Sequence, residues 1–219
     1  MATVNDLILR MKYRLSRQQD ASIDARILAE LIAAQETLED GTTLPWFLHV
    51  QASHTVAGAH DSFSLSNYPG FLRIAEDDFG LRVEDLTRED ETLVRLTRQD
   101  TYGQLLRYSS GEADAATLPD SYCVLGTMVH VRKKQVVDRT YYLSYYREDT
   151  STPQVDGSTL WTINVPDLIM AEAGINVARY LRDGEALQLF TALRGQKYAE
   201  MVRRNQALQD ADENYVMDE

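Results

Sequence analysis

The sequence predicts an α+β chain in which helix pairs from the two ends form an antiparallel four-helix bundle and the middle forms an antiparallel β meander or small barrel. Three observations predict it. Apolar residues recur at helical spacing near both ends, residues 139–147 alternate strictly, and aromatic and β-branched runs between turn residues fill the middle. The expected divisions are an N-terminal helix pair over 1–43, a β-rich region over 44–160, a C-terminal helix pair over 161–209 and an acidic flexible tail over 210–219.

The first helix is expected from Thr3, with Asp6 three residues on completing a capping box. Val4, Leu7, Ile8, Met11 and Leu15 share one face, and Arg10, Arg14 and Arg17 the other. Ser22 or Asp24 can cap the second helix. Its stripe is Ile23, Ile27, Leu28, Leu31, Ile32 and Leu38, with Gly41 just past its end. Short strands are expected over 46–56, 63–65, 71–74 and 93–97, and a helical stretch over 100–108. Further strands fall at 122–125, 127–132 and 139–147. In the last, Tyr141, Leu143 and Tyr145 face one way, and Thr140, Tyr142, Ser144 and Tyr146 the other.

Pro166 suits the first position of a helix whose Leu168, Ile169, Ala171, Ile175, Ala178 and Leu181 cover more than one face, so it should be the most buried. Asp183-Gly184 should end it. Leu187, Phe190, Leu193, Tyr198, Met201, Val202 and Leu208 mark the final helix, which Gly195 weakens by about 1 kcal/mol relative to alanine.

The 219 residues carry a net charge of −12. That balance opposes a protein that grips nucleic acid, whose phosphates require a basic stripe, but not one that lets nucleic acid slide past an acidic wall. Cys123 is the single cysteine, so no internal disulfide can form. Residues 1–10 lack the charge and apolar run of a signal peptide, and no run reaches the roughly 20 apolar residues of a membrane helix. A soluble cytosolic product with no membrane partner is expected.

The residues that carry chemistry do not converge in sequence. His49, His54, His60 and Asp61 lie close together, but positions 49 and 54 of a strand face opposite ways, and no metal-ligand spacing accompanies them. His130 stands alone. Cys123 falls in a strand, where a small buried thiol is common. His60-Asp61-Ser62 contains triad residue types in adjacency, which is not triad geometry. Glu76, Asp77, Asp78, Glu84, Asp85, Glu89, Asp90 and Glu91 can serve as paired acids or bind a cation, yet match no calcium loop. Arg132-Lys133-Lys134 is the densest basic cluster and reads as a charged turn. The tyrosines of 141–146 can stack bases, although packing accounts for them. No catalytic, metal or cofactor-binding residue is assigned.

Several phrases, in order, resemble the head–tail adaptor (connector) proteins of tailed bacteriophages. They are Leu44-Pro45-Trp46-Phe47-Leu48 after the opening helix pair, Phe71-Leu72-Arg73-Ile74-Ala75-Glu76-Asp77, Tyr141 to Tyr146, and Trp161-Thr162-Ile163-Asn164-Val165-Pro166-Asp167-Leu168 at the start of the closing helices. Each is weak alone; their order and spacing carry the likeness. The long 46–147 middle departs from a compact adaptor and leaves open which strands would meet a tail.

The resemblance implies a structural virion protein of the neck, made in the host cytoplasm. It would form a ring, commonly dodecameric, under the portal after DNA packaging. It also implies helices that contact the portal and ring neighbours, strands that face the tail, and a C-terminal segment that docks on the portal. Tyr215, Val216 and Met217 are the apolar tip available for that docking. Arg10, Arg14 and Arg17 are candidates for contacts with acidic surfaces of ring neighbours. DNA would pass without specific binding, and no cofactor is implied. The competing readings are another neck component (a head- or tail-completion protein), a metal-dependent hydrolase using the acidic 76–91 segment, and a single-strand nucleic-acid binder using the tyrosine face.

Overall fold

A computed structural model describes residues 2–58, 60–75, 80–84, 93–107, 118–132 and 137–215. The helices are α1 (Val4–Arg14), α2 (Asp24–Glu39), α3 (Tyr102–Arg107), α4 (Leu160–Asn164), α5 (Pro166–Leu181) and α6 (Gly184–Tyr215). The strands are β1 (His49–Val56), β2 (Ser62–Ser64), β3 (Phe71–Ile74), β4 (Leu81–Glu84), β5 (Leu93–Arg95), β6 (Thr97–Arg98), β7 (Ser121–Leu125), β8 (Met128–Val131) and β9 (Arg139–Arg147). Two compact units result: a helical unit from 1–48 and 149–219, and a β unit from 49–148.

The local signals act as chemistry dictates. Thr3 and Asp6 exchange side-chain and backbone hydrogen bonds and start α1. Asp20 caps a short 3-10 turn before α2, a position the sequence did not single out. Lys12, almost wholly buried on α1, reaches Asp24 at 2.8 Å and ties α1 to the start of α2. Pro166 opens α5. The break after α5 falls at Arg182, one residue before the expected Asp183-Gly184: Arg182 takes the left-handed conformation, and Asp183 then accepts the Ala186 N–H to start α6. Gly195 does not interrupt α6, which continues unbroken to Tyr215 and so into the segment expected to be a tail.

The expected four-helix bundle is not what forms. A bundle shares one core among helices of comparable length, each offering one stripe. Here α5 is buried on more than one face, with Leu168, Ile169, Met170 and Ala171 in succession and then Ala173, Gly174, Val177 and Ala178. It is therefore the hub: α6 and α2 pack on it most extensively, and α1 and α4 to a smaller extent. The lengths are also unequal, 11 residues in α1 against 32 in α6. At the α5–α6 contact the Phe190 ring lies where a Cβ on Gly174 would stand, 2.5 Å away, so only glycine admits that ring.

The expected meander or barrel is also replaced, by two open sheets. One has order β1-β9-β4-β5, with β3 also on β9; the other has order β2-β8-β7-β6. A meander pairs strands that follow one another, but β1 pairs along its whole length with β9, from His49↔Tyr146 to Val56↔Arg139. On its other edge β9 takes β3 and β4 in succession, through Ile74↔Tyr145 and Leu81↔Leu143. Ser144 marks the join, accepting the Ala75 N–H and donating to the Gly80 carbonyl. In the second sheet β6 and β7 run parallel, and β7 and β8 form a hairpin whose Gly126 supplies the positive φ. The chain changes sheets at buried Leu96.

The sheets share one core. Tyr141, Leu143 and Tyr145 of β9 meet Leu81 and Val83 of β4, and Tyr122, Val129 and Val131 from the second sheet. Phe63 of β2 lies 5.2 Å from the Tyr141 ring. Burial pushes the Tyr141 phenol up to about 12, and Tyr68, Tyr122 and Tyr145 shift the same way for the same reason. A phenol with a raised folded pKa contributes stability that is complete below its ordinary value near 10 and is lost as pH rises through about 12. Alkaline unfolding followed by far-UV dichroism should therefore steepen across that window. Tyr141→Phe should retain more of its neutral-pH stability there than the wild type does.

Candidate functional site

The residues with most to do beyond filling a core lie in the helical unit, where the chain returns from residue 149. Gln35 and Glu39 stand one turn apart on α2, so both reach the returning segment. Gln35 donates from Nε2 to the Asp149 carbonyl at 2.8 Å and, more weakly, to that of Ser151. One Glu39 carboxylate oxygen accepts the Trp161 indole N–H at 2.7 Å and the Asp149 N–H at 3.2 Å. The Asp149 carboxylate in turn accepts the N–H groups of Ser151 and Leu160. Thr159 and Thr162 form a capping box at the start of α4, which places Trp161 with no exposed surface.

This arrangement brings together two of the phrases singled out above. Phe47 meets Trp161 edge to face at 5.2 Å, and Trp46 meets Phe47 in the same way at 5.3 Å. Asn205 of α6 holds the phrase by its backbone, donating to the Leu44 carbonyl at 2.8 Å and accepting the Trp46 N–H at 3.0 Å. The Arg204 guanidinium lies 4.1 Å from the Trp46 ring centroid, a cation–π contact. Trp46, Val165, Pro166, Lys197, Met201 and Arg204 line a cleft of about 230 Å³. Lys197 and Glu200 pair at its rim at 2.8 Å, and their hydrogen bond raises the lysine pKa and lowers that of the glutamate.

A second surface lies on α1. Leu9, Arg10, Tyr13 and Arg14 point away from the core, and with Asp167 they line an open cleft of about 500 Å³. Leu9 is 54% exposed and Tyr13 73%. Arg10 reaches Asp167 only at 3.8 Å, and Arg17 reaches Asp20 at 3.9 Å. Arg14 is exposed and makes no ion pair or hydrogen bond among the described residues.

The remaining candidates do not assemble. His49 packs on Tyr146, while His54, on the other face of β1, hydrogen-bonds Asn67 and lies near Phe63 and Tyr68. His60 is exposed, and the His130 ring lies tilted against Tyr102 at 4.9 Å. Asp61 and Ser62 lead into β2, where the Asp61 carbonyl accepts the Val131 N–H. Cys123 is buried in β7, and burial raises its pKa, which disfavours the nucleophilic thiolate. Among the described residues no three or more His, Cys, Asp or Glu side chains stand close enough to hold a metal ion.

Of the acidic 76–91 segment only 80–84 belong to the described residues. Arg132 pairs with Asp120 at 2.6 Å, and Lys133 and Lys134 lie outside the described residues. Tyr215 ends α6, while Val216 and Met217 lie outside. On the outer face of β9, Tyr142 stands opposite Ser53 and Arg82, and Tyr146 opposite His49 and Arg73. No helix among the described residues is long and apolar enough to cross a membrane.

Sequence reasoning passed over Glu39, Asp149, Arg204 and Asn205. A glutamate at the end of α2 and polar residues on a long helix have no local pattern that distinguishes them from solvated surface. Glu39→Ala would leave the buried Trp161 indole N–H without its acceptor, at a cost of about 1–3 kcal/mol. Urea unfolding should show that loss, accompanied by a shift in tryptophan emission. No family model and no curated protein matches this chain.

Proposed function

We propose that this protein is a structural subunit of the neck of a tailed bacteriophage: a head–tail adaptor that assembles as a ring under the portal and joins the DNA-filled capsid to the tail. The observation that supports this reading best is the meeting of the Leu44–Leu48 and Trp161–Leu168 phrases on one side of α6. They carry the likeness to adaptor proteins, they are far apart in sequence, and each constrains the other. A helical body made from both chain ends, with the β unit supplied between them, suits a part whose task is to hold neighbours in place. The partners are the portal, tail or tail-completion proteins, and further copies of this chain.

The charge suits a conduit. A ring of subunits each carrying −12 would present DNA with a repulsive wall, so that DNA passes without adhering. The role is mechanical rather than catalytic, and its location is the head–tail interface of the virion.

Electron microscopy of the protein mixed with portal assemblies from the same virus tests the reading. The expected result is an added ring of density coaxial with the portal, together with co-sedimentation. Absence of any portal association would overturn it, and binding to tail-completion proteins alone would move the chain elsewhere in the neck.

A further inference from the structure

We infer that the cleft at the crossing from β5 to β6 is a binding site for phosphate, as the free dianion or as the monoester of a small molecule. The inference is independent of the adaptor reading and concerns the β unit alone.

Residues Arg95 to Arg98 span the point where the chain leaves β5 of the first sheet and enters β6 of the second. Their backbone is fixed from both sides. The Leu96 N–H donates to the Leu81 carbonyl at 2.9 Å, and the Thr97 N–H to the Asp120 carbonyl at 2.8 Å. The Gln99 N–H donates to the Tyr122 carbonyl at 2.7 Å, and Arg98 stands opposite Tyr122 in the parallel β6–β7 pair. Between these segments lies a cleft of about 270 Å³, lined by Gly80, Arg95, Leu96, Thr97, Arg98 and Tyr122.

The lining carries cations and hydroxyls. In a chain of net charge −12, two of its six residues are arginines, and among the described residues no acid joins them. Arg95 also stands directly opposite Arg82 in the β4–β5 pair, which adds to the positive potential there. Tyr122 is a second and independent sign. It is only 2% exposed, its ring belongs to the core of the β unit, and its hydroxyl makes no hydrogen bond among the described residues. Burial raises its pKa, while the charges of Arg98 and Arg95 pull the other way, so both guanidinium groups lie near the phenol. A buried hydroxyl without a partner is costly, and an anion held by the two arginines supplies one.

The donor set selects the ligand. Two guanidinium groups offer paired N–H donors, and Thr97 and Tyr122 add two hydroxyls. A carboxylate sets two oxygens and one charge against them. A phosphate monoester sets three acceptor oxygens and nearly two charges at neutral pH, which is the better match. The backbone of a nucleic acid offers one charge per phosphate, within a polyanion that the net charge of −12 repels. At about 270 Å³ the cleft is a little smaller than sites for drug-sized ligands, so any group esterified to the phosphate is small.

The test is a calorimetric titration of the intact chain with inorganic phosphate, at an ionic strength held constant with chloride. Saturable binding is expected, weakened by about tenfold in Arg98→Gln and again in Tyr122→Phe. Tyr122→Phe keeps the ring in the core, so without phosphate it should unfold at the wild-type temperature. Phosphate should then raise the unfolding temperature of the wild type more than that of the variant. Arg10→Gln with Arg14→Gln, in the helical unit, should leave binding unchanged. Tighter binding of a sugar phosphate than of phosphate would support the ester as the ligand, and equal binding would support the free anion. No saturable binding, equal binding of acetate, or equal binding by the Arg98 and Tyr122 variants overturns the inference. So does binding of a single-stranded oligonucleotide in place of phosphate.

Discussion

A single carboxylate oxygen on Glu39 accepts from Trp161 and from the backbone of Asp149, and the organisation of the helical unit depends on it. The first helices are complete before the β unit begins, and α5 enters the sequence only after it ends. The helical core can therefore close only when the returning chain is held against α2. Gln35 and Glu39 receive that chain, Asp149 turns it, and the Thr159–Thr162 box starts the short helix that buries Trp161. Burial of Trp161 then provides the surface on which Phe47 packs. Each of these contacts is ordinary in strength, near 1 kcal/mol net for a typical hydrogen bond, but they share partners and so act together.

Once α5 is in place, its small residues set the rest. Ala171, Ala173, Gly174 and Ala178 let neighbouring helices approach closely, and the Phe190 ring occupies the space Gly174 leaves. The β unit has a comparable centre in β9, which bonds β1 on one edge and β3 and β4 on the other. Its alternate tyrosines and Leu143 join the two sheets in one core. Both units are thus organised around an element that comes late in the chain, which makes most of their decisive contacts non-local.

That non-locality explains what was legible in the sequence. The Thr3–Asp6 box, Pro166 at the start of α5 and the alternation of 139–147 are local signals, and the elements they mark are present. The four-helix bundle was inferred from counting two helix pairs, although apolar residues on more than one face of α5 suit a hub better than one wall of a bundle. The barrel was inferred from short strands in succession, but nothing near β1 in sequence shows that its partner is β9. At the α1 surface, the outward placement of Arg10 and Arg14 was legible because a polar stripe opposite an apolar one is a periodic pattern, whereas Arg17, expected on the same helix face, lies beyond the end of α1. Asn205 and Glu39 were not, because a polar residue on a helix acquires its role only from the segment folded against it. The functional reading joins these levels: a helical body that depends on both chain ends, and an outward face on α1 where Arg10 and Arg14 stand beside exposed Leu9 and Tyr13.

The most direct measurement of this account is native-state hydrogen exchange across the intact chain under mildly destabilising conditions. If the helical unit is one cooperative body closed through Glu39, amides of α2 and α5 should open together with the same free energy, despite lying on opposite sides of the β unit in sequence. Their opening should be separable from that of β9. Exchange in which α1 and α2 open together while α5 and α6 stay protected would contradict the account, because the two ends of the chain would then be independent structures.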